Sequence, residues 1–110
     1  MNTNSNELLQ GTLELLVLRI LSSGERHGFG ILKRIEQMSG QEIVVHQGSL
    51  YPALYRLERN GSIRSRTGIS ENNRKAKYYS LTPKGESLLR EKTETWRRFS
   101  RAISLVLESA

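Results

Sequence analysis

The sequence predicts an α+β fold, mostly α-helical, of the winged helix-turn-helix type. Three observations support this. The first half of the chain has apolar residues at helical spacing, residues 62–81 change to the alternation typical of strands, and the chain after Thr82-Pro83 returns to an uninterrupted helical pattern. Three helices, a two-stranded hairpin and a long last helix, in that order, form the winged-helix arrangement.

The first helix is predicted from two apolar stripes. Its inner stripe has the spacing of an amphipathic helix and consists of Leu13, Leu16, Val17, Ile20 and Leu21. Ser22-Ser23-Gly24 ends the helix. The second stripe lies on another face and consists of Leu8, Leu15 and Leu18. A helix with two apolar stripes packs against two partners, and a second subunit is one candidate.

The next two helices are shorter. One is predicted from Gly28 to Ser39, with an inner face of Ile31, Leu32, Ile35 and Met38. The other begins near Gly48-Ser49, where the serine is expected to cap free amides and Pro52 to lie in the first turn. It ends at Asn60-Gly61 with a left-handed cap. Residues 43–45, between the two helices, are too few to form more than an edge strand.

Two β-rich runs predict the hairpin. Residues 63–67 and 77–81 flank a charged tip from Gly68 to Lys75. Thr82-Pro83 then gives a helix start, because a capping residue is followed by proline at the first helical position. No proline follows, so the last helix is predicted to continue to about Glu108.

The positive charge is concentrated in a short part of the chain. The formal net charge is +6 and the isoelectric point is about 10.1. Residues 56–77 contribute +5, against −1 for residues 1–55 and +2 for residues 78–110. Such a basic patch favours a polyanionic partner such as nucleic acid.

The polar N-terminus lacks the basic-then-apolar order of residues in a signal peptide, and the longest apolar run is Leu15 to Leu18. We therefore expect a cytoplasmic protein without a membrane partner.

Four segments of the sequence together resemble the PadR-like family of transcriptional regulators. They are Gly11-Thr12-Leu13-Glu14-Leu15-Leu16-Val17-Leu18, His27-Gly28-Phe29-Gly30-Ile31, Gly48-Ser49-Leu50-Tyr51-Pro52-Ala53-Leu54-Tyr55-Arg56-Leu57-Glu58 and Arg74-Lys75-Ala76-Lys77-Tyr78-Tyr79-Ser80-Leu81-Thr82-Pro83-Lys84-Gly85. The resemblance implies a homodimeric transcription factor, usually a repressor, that binds double-stranded DNA at a palindromic operator and needs no cofactor. It also implies a DNA-binding domain over residues 1–82 and a C-terminal dimerisation helix over residues 83–110. Family members often have a glycine-rich wing tip where this chain has Glu71-Asn72-Asn73, which leaves the shape of the tip open.

Nine residues on the third helix and the hairpin are predicted to contact DNA: Ser49, Tyr51, Pro52, Tyr55, Arg56, Arg66, Arg74, Lys75 and Lys77. An α-helix fits the major groove, where side chains near its start reach base edges or phosphates. A basic hairpin can follow the phosphates or enter the minor groove. The alternatives are an ordinary solvated helix face and an edge strand charged against aggregation.

The last helix carries a heptad seam, formed by Leu89, Trp96, Phe99, Ile103 and Val106. With Leu8 and Leu15 of the first helix, this seam is the predicted dimer interface; the alternative is a helix that folds back on its own domain. Trp96 is large enough to hold two helices apart, and some short PadR-like regulators bind planar compounds between aromatic residues at this interface. We therefore expect Trp96 to line a site for a flat, apolar or cationic effector, with ordinary interface packing as the alternative.

No set of residues in the sequence predicts catalysis or metal binding. The chain has two histidines and no cysteine, and no carboxylate has metal-site spacing to His27 or His46. His27 is therefore interpreted as a structural residue. A protein-interaction module whose basic patch meets an acidic protein is the rival function, whereas RNA binding is disfavoured because no strand carries an aromatic stacking motif.

Overall fold

The computed structural model describes residues 2–109, with side chains from residue 11 onward. This part of the chain forms four helices and three strands: α1 (Asn2–Leu21), β1 (Arg26–His27), α2 (Gly28–Met38), α3 (Gln47–Arg59), β2 (Ile63–Ile69), β3 (Lys75–Leu81) and α4 (Pro83–Ser109). Three helices precede a β-hairpin and a long last helix, so the predicted winged-helix order is confirmed.

One apolar core lies between the first three helices and the base of the hairpin. Its largest fully buried apolar side chains are Leu13, Leu18, Ile31, Leu50, Leu54, Leu57, Ile63, Val17 and Val45. One residue predicted for the inner face of α2 is not buried: Met38 is 58% exposed. The reason is that α2 ends there and the chain reverses through Gly40 and Gln41, which both have positive φ. Residues 43–45 form no strand, and Val45 is buried in the core.

α3 begins at Gln47, slightly before its predicted start. His46 occupies the capping position and makes no capping hydrogen bond with its side chain. The predicted capping role of Ser49 is wrong, because Ser49 lies within the first turn and its amide donates to the His46 carbonyl (3.0 Å). Pro52 is also one turn further into the helix than predicted, where it cannot donate the amide hydrogen that the Gly48 carbonyl would accept.

β2 and β3 pair antiparallel, with Ile63 opposite Leu81 at the base, and the turn over residues 70–74 joins them. We call these two strands and their turn the wing. Each strand is two residues longer than predicted. A further strand, β1, was not predicted; it pairs with β3 and gives the sheet order β1-β3-β2. His27 of β1 also caps α2, since its Nδ1 accepts a hydrogen bond from the Gly30 amide (3.0 Å). This contact supports its structural interpretation.

The wing and α4 meet at a junction formed by Gly61, Ser62, Thr82 and Gly85. The Thr82 hydroxyl oxygen accepts a hydrogen bond from the Gly85 amide (3.1 Å), which confirms the predicted cap of the last helix. The same hydroxyl lies 2.6 Å from the Gly61 carbonyl oxygen and 2.9 Å from that of Ser62, to which it can donate its proton. The Thr82 amide also donates to the Ser62 carbonyl (3.1 Å). Gly61 ends α3 at a φ of +82°, so the predicted left-handed cap is confirmed.

α4 starts on the core and then leaves it. Leu88 and Leu89 pack against the core, whereas the large apolar residues from Trp96 onward are 45–73% exposed. The described chain is accordingly elongated, at 56 × 29 × 23 Å. Over residues 2–109, none of the helices is apolar for long enough to cross a membrane.

Gly85→Ala is expected to destabilise the fold by about 1–3 kcal/mol, because a Cβ would collide with the Ser62 carbonyl oxygen, a backbone atom held by Thr82. Urea denaturation measures this loss. Gly48→Ala is the control: open space surrounds this helical glycine, and alanine should leave stability unchanged or raise it by up to about 1 kcal/mol. Equal losses in the two variants would contradict the steric explanation.

Candidate nucleic-acid interface

A groove of about 420 Å³ lies between the wing, the start of α2 and α3. Tyr51 of α3 forms one wall, and Lys75 and Lys77 of β3 form another. Gly28 allows this arrangement, because a Cβ at that position would lie only 2.7 Å from the Tyr51 hydroxyl. The first turn of α2 and the tyrosine of α3 therefore pack closely beside the basic strand.

The outer face of α3 consists of exposed residues: Tyr51, Pro52, Tyr55 and Arg59. The Tyr51 side chain is 44% exposed and that of Tyr55 is 64% exposed, so both rings are available on the surface next to the groove. Ser49 is half-buried and lies on the same row of the helix as Arg56, seven residues later. Arg56 donates from Nε to a Glu14 carboxylate oxygen of α1 (2.9 Å), so this row faces α1.

Glu58 connects α3 to both strands of the wing. Its carboxylate accepts a hydrogen bond from the Ser65 hydroxyl of β2 (2.6 Å) and lies 3.9 Å from the Lys77 ammonium of β3. Tyr79 is buried beneath these contacts. Burial raises the pKa of the Tyr79 phenol, and the nearby Glu58 carboxylate raises it further. The phenol therefore stays neutral at physiological pH. The Glu58 carboxylate connects the wing to α3 through its contacts with both strands.

The predicted basic residues of the wing lie on two opposite faces. Successive residues of a strand alternate between faces, so Lys75 and Lys77 share the face of buried Tyr79. Arg66 is opposite Tyr78 in the ladder and lies on the other face. Its guanidinium carbon is 4.9 Å from the centre of the Tyr78 ring. The groove is therefore lined by the lysines and not by Arg66.

Arg66 forms a two-pronged ion pair with Glu25. Nε and Nη2 donate to the two carboxylate oxygens at 2.8 and 2.6 Å. The hydrogen bond from Arg66 lowers the pKa of Glu25, and the same bond raises the pKa of Arg66. Because the pKa of Glu25 is lower in the folded state, the pair stabilises the fold at neutral pH, and this contribution is lost as the pH falls through the lowered pKa.

The structure thus brings some of the predicted contact residues together and separates others. Tyr51, Lys75 and Lys77 line one groove, with Pro52 and Tyr55 on the adjoining surface. Arg74 lies in the exposed turn, and among the side chains from residue 11 onward no carboxylate is within 4.0 Å of it. Arg56 and Arg66 are instead paired with carboxylates on α1 and on the segment before β1.

Phe29 lines the groove and is not among the nine residues predicted to contact DNA. It is 51% exposed at the start of α2, and the Lys33 ammonium lies 5.7 Å from the centre of its ring. Its position off the inner stripe of α2 was the available signal, because an apolar residue there faces away from the core.

Among the side chains from residue 11 onward, no group of three or more histidine or carboxylate side chains is placed to hold a metal ion.

A second surface lies along α4. The exposed side chains of Trp96, Phe99, Ile103 and Val106 follow the predicted seam. Trp96 and Phe99 also line a groove of about 330 Å³ against Gly11 and Leu15 of α1. Leu89 is half-buried and packs on the core, and Leu8 lies outside the residues whose side chains are described.

The family model described as Transcriptional regulator PadR-like family matches residues 17–91. This chain belongs to the PadR-like family. It is similar to a transcriptional regulator from Clostridium thermocellum, with 31% identity, a TM-score of 0.81, and coverage of 89% of this chain and 95% of that one. It is also similar to a PadR-like regulator from Bacillus cereus (30% identity, TM-score 0.77, coverage of 92% and 96%). A PadR family regulator from Eggerthella lenta is 28% identical, with a TM-score of 0.81 and coverage of 99% and 93%.

Membership in the PadR-like family confirms the predicted class of protein. PadR-like proteins are DNA-binding transcriptional regulators and are not enzymes. The predicted family and fold class are both confirmed, and DNA is the partner that the family implies for the basic surface described above.

Proposed function

We propose that this chain is a repressor that binds a palindromic operator as a homodimer in the cytoplasm. The observation that carries the proposal is the groove between Tyr51 of α3 and Lys75 and Lys77 of the wing. It places an exposed helix face and a basic hairpin side by side, and these are the two elements with which a winged helix contacts duplex DNA. Membership in the PadR-like family supports the same partner.

The two elements have different tasks in the proposed complex. α3 enters the major groove, where the exposed side chains of Tyr51, Pro52 and Tyr55 are nearest to the base edges. Ser49, half-buried in the first turn, is proposed to contact DNA from the start of the helix. Arg74, Lys75 and Lys77 contact phosphates, which gives affinity for any sequence. A phosphate contact by Arg56, Arg66 or Lys77 would have to replace the ion pair that each makes within the chain.

The homodimer is proposed from the exposed seam of α4. Trp96, Phe99, Ile103 and Val106 are 45–70% exposed, and burying an apolar side chain of this size contributes about 1.5–3 kcal/mol. A second copy supplies the same seam and buries both at once. Residues 1–82 then form the DNA-binding domain and residues 83–110 the dimerisation helix. Leu8, Leu15 and Leu89 are proposed to lie at the margin of this interface.

Selection of bound duplexes from a random pool tests the function and its symmetry together. We expect inverted half-sites centred about 10 bp apart, because two recognition helices of a dimer are separated by about one turn of DNA, roughly 34 Å. Recovery of direct repeats or of a single asymmetric site would contradict the homodimer on a palindrome. A pool with no enrichment and no salt-dependent binding would favour a protein-interaction module instead.

Replacing Arg74, Lys75 and Lys77 together by alanine should weaken binding to all duplex sequences. Each phosphate contact contributes about 0.9 to the slope of log K against log salt, so the slope should decrease by up to about 3. Titrations at several salt concentrations measure it. The matched control replaces Arg97, Arg98 and Arg101 of α4, which removes the same charge on a helix away from the groove. Equal effects of the two triple variants would show that net charge alone governs binding.

The groove beside Trp96 supports the proposed effector site. Trp96 is half-exposed there, with Phe99 as a second aromatic wall and the oppositely charged Glu91 and Lys92 in the lining. An indole face attracts flat aromatic compounds and cations, for about 0.5–2 kcal/mol per contact. A ligand that prefers one arrangement of the dimer would release the operator.

Trp96 is the only tryptophan of the chain, so its fluorescence reports on this groove alone. Titration with planar cationic dyes is expected to quench the fluorescence and to weaken operator binding, since the dye stacks on the indole. Trp96→Phe should reduce dye affinity about tenfold, the equivalent of about 1.4 kcal/mol. Because this variant contains no tryptophan, the fluorescence of the dye itself measures its affinity. The effector proposal fails if no dye both binds and changes operator affinity, and Trp96 would then serve ordinary packing.

A further inference from the structure

We propose that the Glu25–Arg66 ion pair is a clamp that fixes the orientation of the wing, and that Arg66 acts in DNA binding as a positioning residue through this clamp. The inference rests on the proposed function, because wing orientation affects affinity only if the wing meets DNA. It assigns a role to Glu25, a residue outside the basic patch, and it changes the way in which Arg66 contributes.

The clamp crosses the whole sheet. Glu25 immediately precedes β1 at one edge, Arg66 lies in β2 at the other edge, and β3 runs between them. The guanidinium therefore extends over Tyr78 of β3 to reach the carboxylate, at 2.8 and 2.6 Å. Gly68 leaves the space for it, since a Cβ there would lie 2.8 Å from Arg66 Nη1 and 2.9 Å from the Tyr78 ring. The two outer strands are joined by side chains as well as by the backbone ladder.

The outer half of the wing has few other attachments. Ile63 and Tyr79, at its base, are buried in the core, whereas Ile69, near its tip, is 64% exposed. Apart from the clamp and the apolar packing of its base, the hydrogen bonds, ion pairs and ring contacts that the described side chains make between the wing and the rest of the domain are those of Glu58 and the 5.7 Å edge contact between Tyr78 and His27. The clamp is therefore a substantial part of what limits bending of the wing.

The clamp also connects the wing to the helix that carries the groove. β1 continues directly into α2, and His27 of β1 caps α2 through the Gly30 amide. Gly28, at the start of α2, contacts Tyr51 of α3. A wing held to Glu25 is thus held in a fixed position relative to Tyr51, so Lys75 and Lys77 stay on the opposite side of the groove from the tyrosine.

A direct phosphate contact explains the position of Arg66 less well. Both Nε and Nη2 already donate to Glu25, and the side chain lies on the face of the wing opposite Lys75 and Lys77. A phosphate would have to displace a two-pronged carboxylate that is held in place beforehand. A clamp contributes differently: it raises the fraction of molecules whose wing is oriented for binding, and the apparent Kd is inversely proportional to that fraction.

The test uses the full chain and a random-sequence duplex, titrated between about 50 and 200 mM salt. Glu25→Gln and Arg66→Lys each weaken the clamp, and we expect each to reduce affinity about threefold to fivefold at an unchanged salt slope, because the oriented fraction falls while the phosphate contacts stay the same. Glu71→Gln and Arg64→Lys are the matched controls. Each changes the same residue type on the wing, and among the side chains from residue 11 onward neither residue has an ion-pair partner within 4.0 Å. The controls should bind like the unmodified chain.

The charge-swapped variant, with Glu25→Arg and Arg66→Glu together, separates the two roles of Arg66. A clamp restored with reversed polarity should bring affinity back to within about twofold of the unmodified chain, since the wing is again oriented. A phosphate contact would instead be replaced by a repelling carboxylate, and the slope would decrease by about 0.9. The proposal is overturned if Glu25→Gln binds as tightly as the unmodified chain or more tightly, or if the swap binds no better than Arg66→Glu alone.

A measurement on the unmodified chain covers the case in which a variant does not fold. The Nε proton of Arg66, followed by NMR, should keep its hydrogen-bonded signal when random duplex is added. Loss of that signal on binding would mean that phosphate displaces Glu25, and it would overturn the clamp. If the unmodified chain shows no salt-dependent binding to duplex DNA at all, the proposed function has failed independently of the clamp.

Discussion

The contact between Gly85 and the Ser62 carbonyl is the constraint on which the arrangement of the molecule depends. Ser62 follows α3 and precedes the wing, whereas Gly85 lies in the first turn of α4. Thr82 connects the two segments by hydrogen bonds. Its amide and its hydroxyl donate to the Ser62 carbonyl, and its hydroxyl oxygen accepts from the Gly85 amide. The end of α3, both ends of the wing and the start of α4 therefore meet within a few backbone atoms. Their relative orientation is set by short backbone contacts, which leave little freedom compared with long side chains.

Carboxylates shape the basic surface as much as the cations do. Three of the basic side chains predicted to contact DNA each lie close to a carboxylate of this chain. The pairs are Arg56 with Glu14, Arg66 with Glu25, and Lys77 with Glu58. The pairs at 2.9 and 2.6 Å fix the two arginines, while the lysine, 3.9 Å from its carboxylate, stays more mobile. Toward the turn of the wing, by contrast, Arg74 and Lys75 have no carboxylate within 4.0 Å among the described side chains.

The sequence predicted the elements that have a long regular pattern. The apolar stripes of α1 and α2, the alternation of the hairpin and the Thr82-Pro83 start of α4 all depend on local periodicity or capping chemistry, which one chain segment displays by itself. β1 escaped prediction because two residues have no period, and it forms only where the Arg26–His27 segment meets β3. Met38 fitted the helical period, but the early end of α2 left nothing to cover it.

The sequence predicted which residue types form the candidate site, but it did not predict which way each side chain points. Charge clustering identified the wing, and the exposed face of α3 identified Tyr51 and Tyr55. The side chain of Arg66, however, is directed by Glu25, 41 positions earlier in the chain, and local alternation gives no information about a partner so distant. Phe29 and Glu58 were missed for the same reason, since their roles depend on which elements the fold places next to them.

The length of α4 has a mechanical consequence in the proposed homodimer. At 1.5 Å per residue its 27 residues span about 40 Å, so the helix acts as a lever whose fixed end lies at Ser62. A tilt of about 5° at the anchor displaces the far end by about 3.5 Å, close to the rise of a single base pair, so small changes in the seam would be large enough to move the two winged domains out of register with their half-sites.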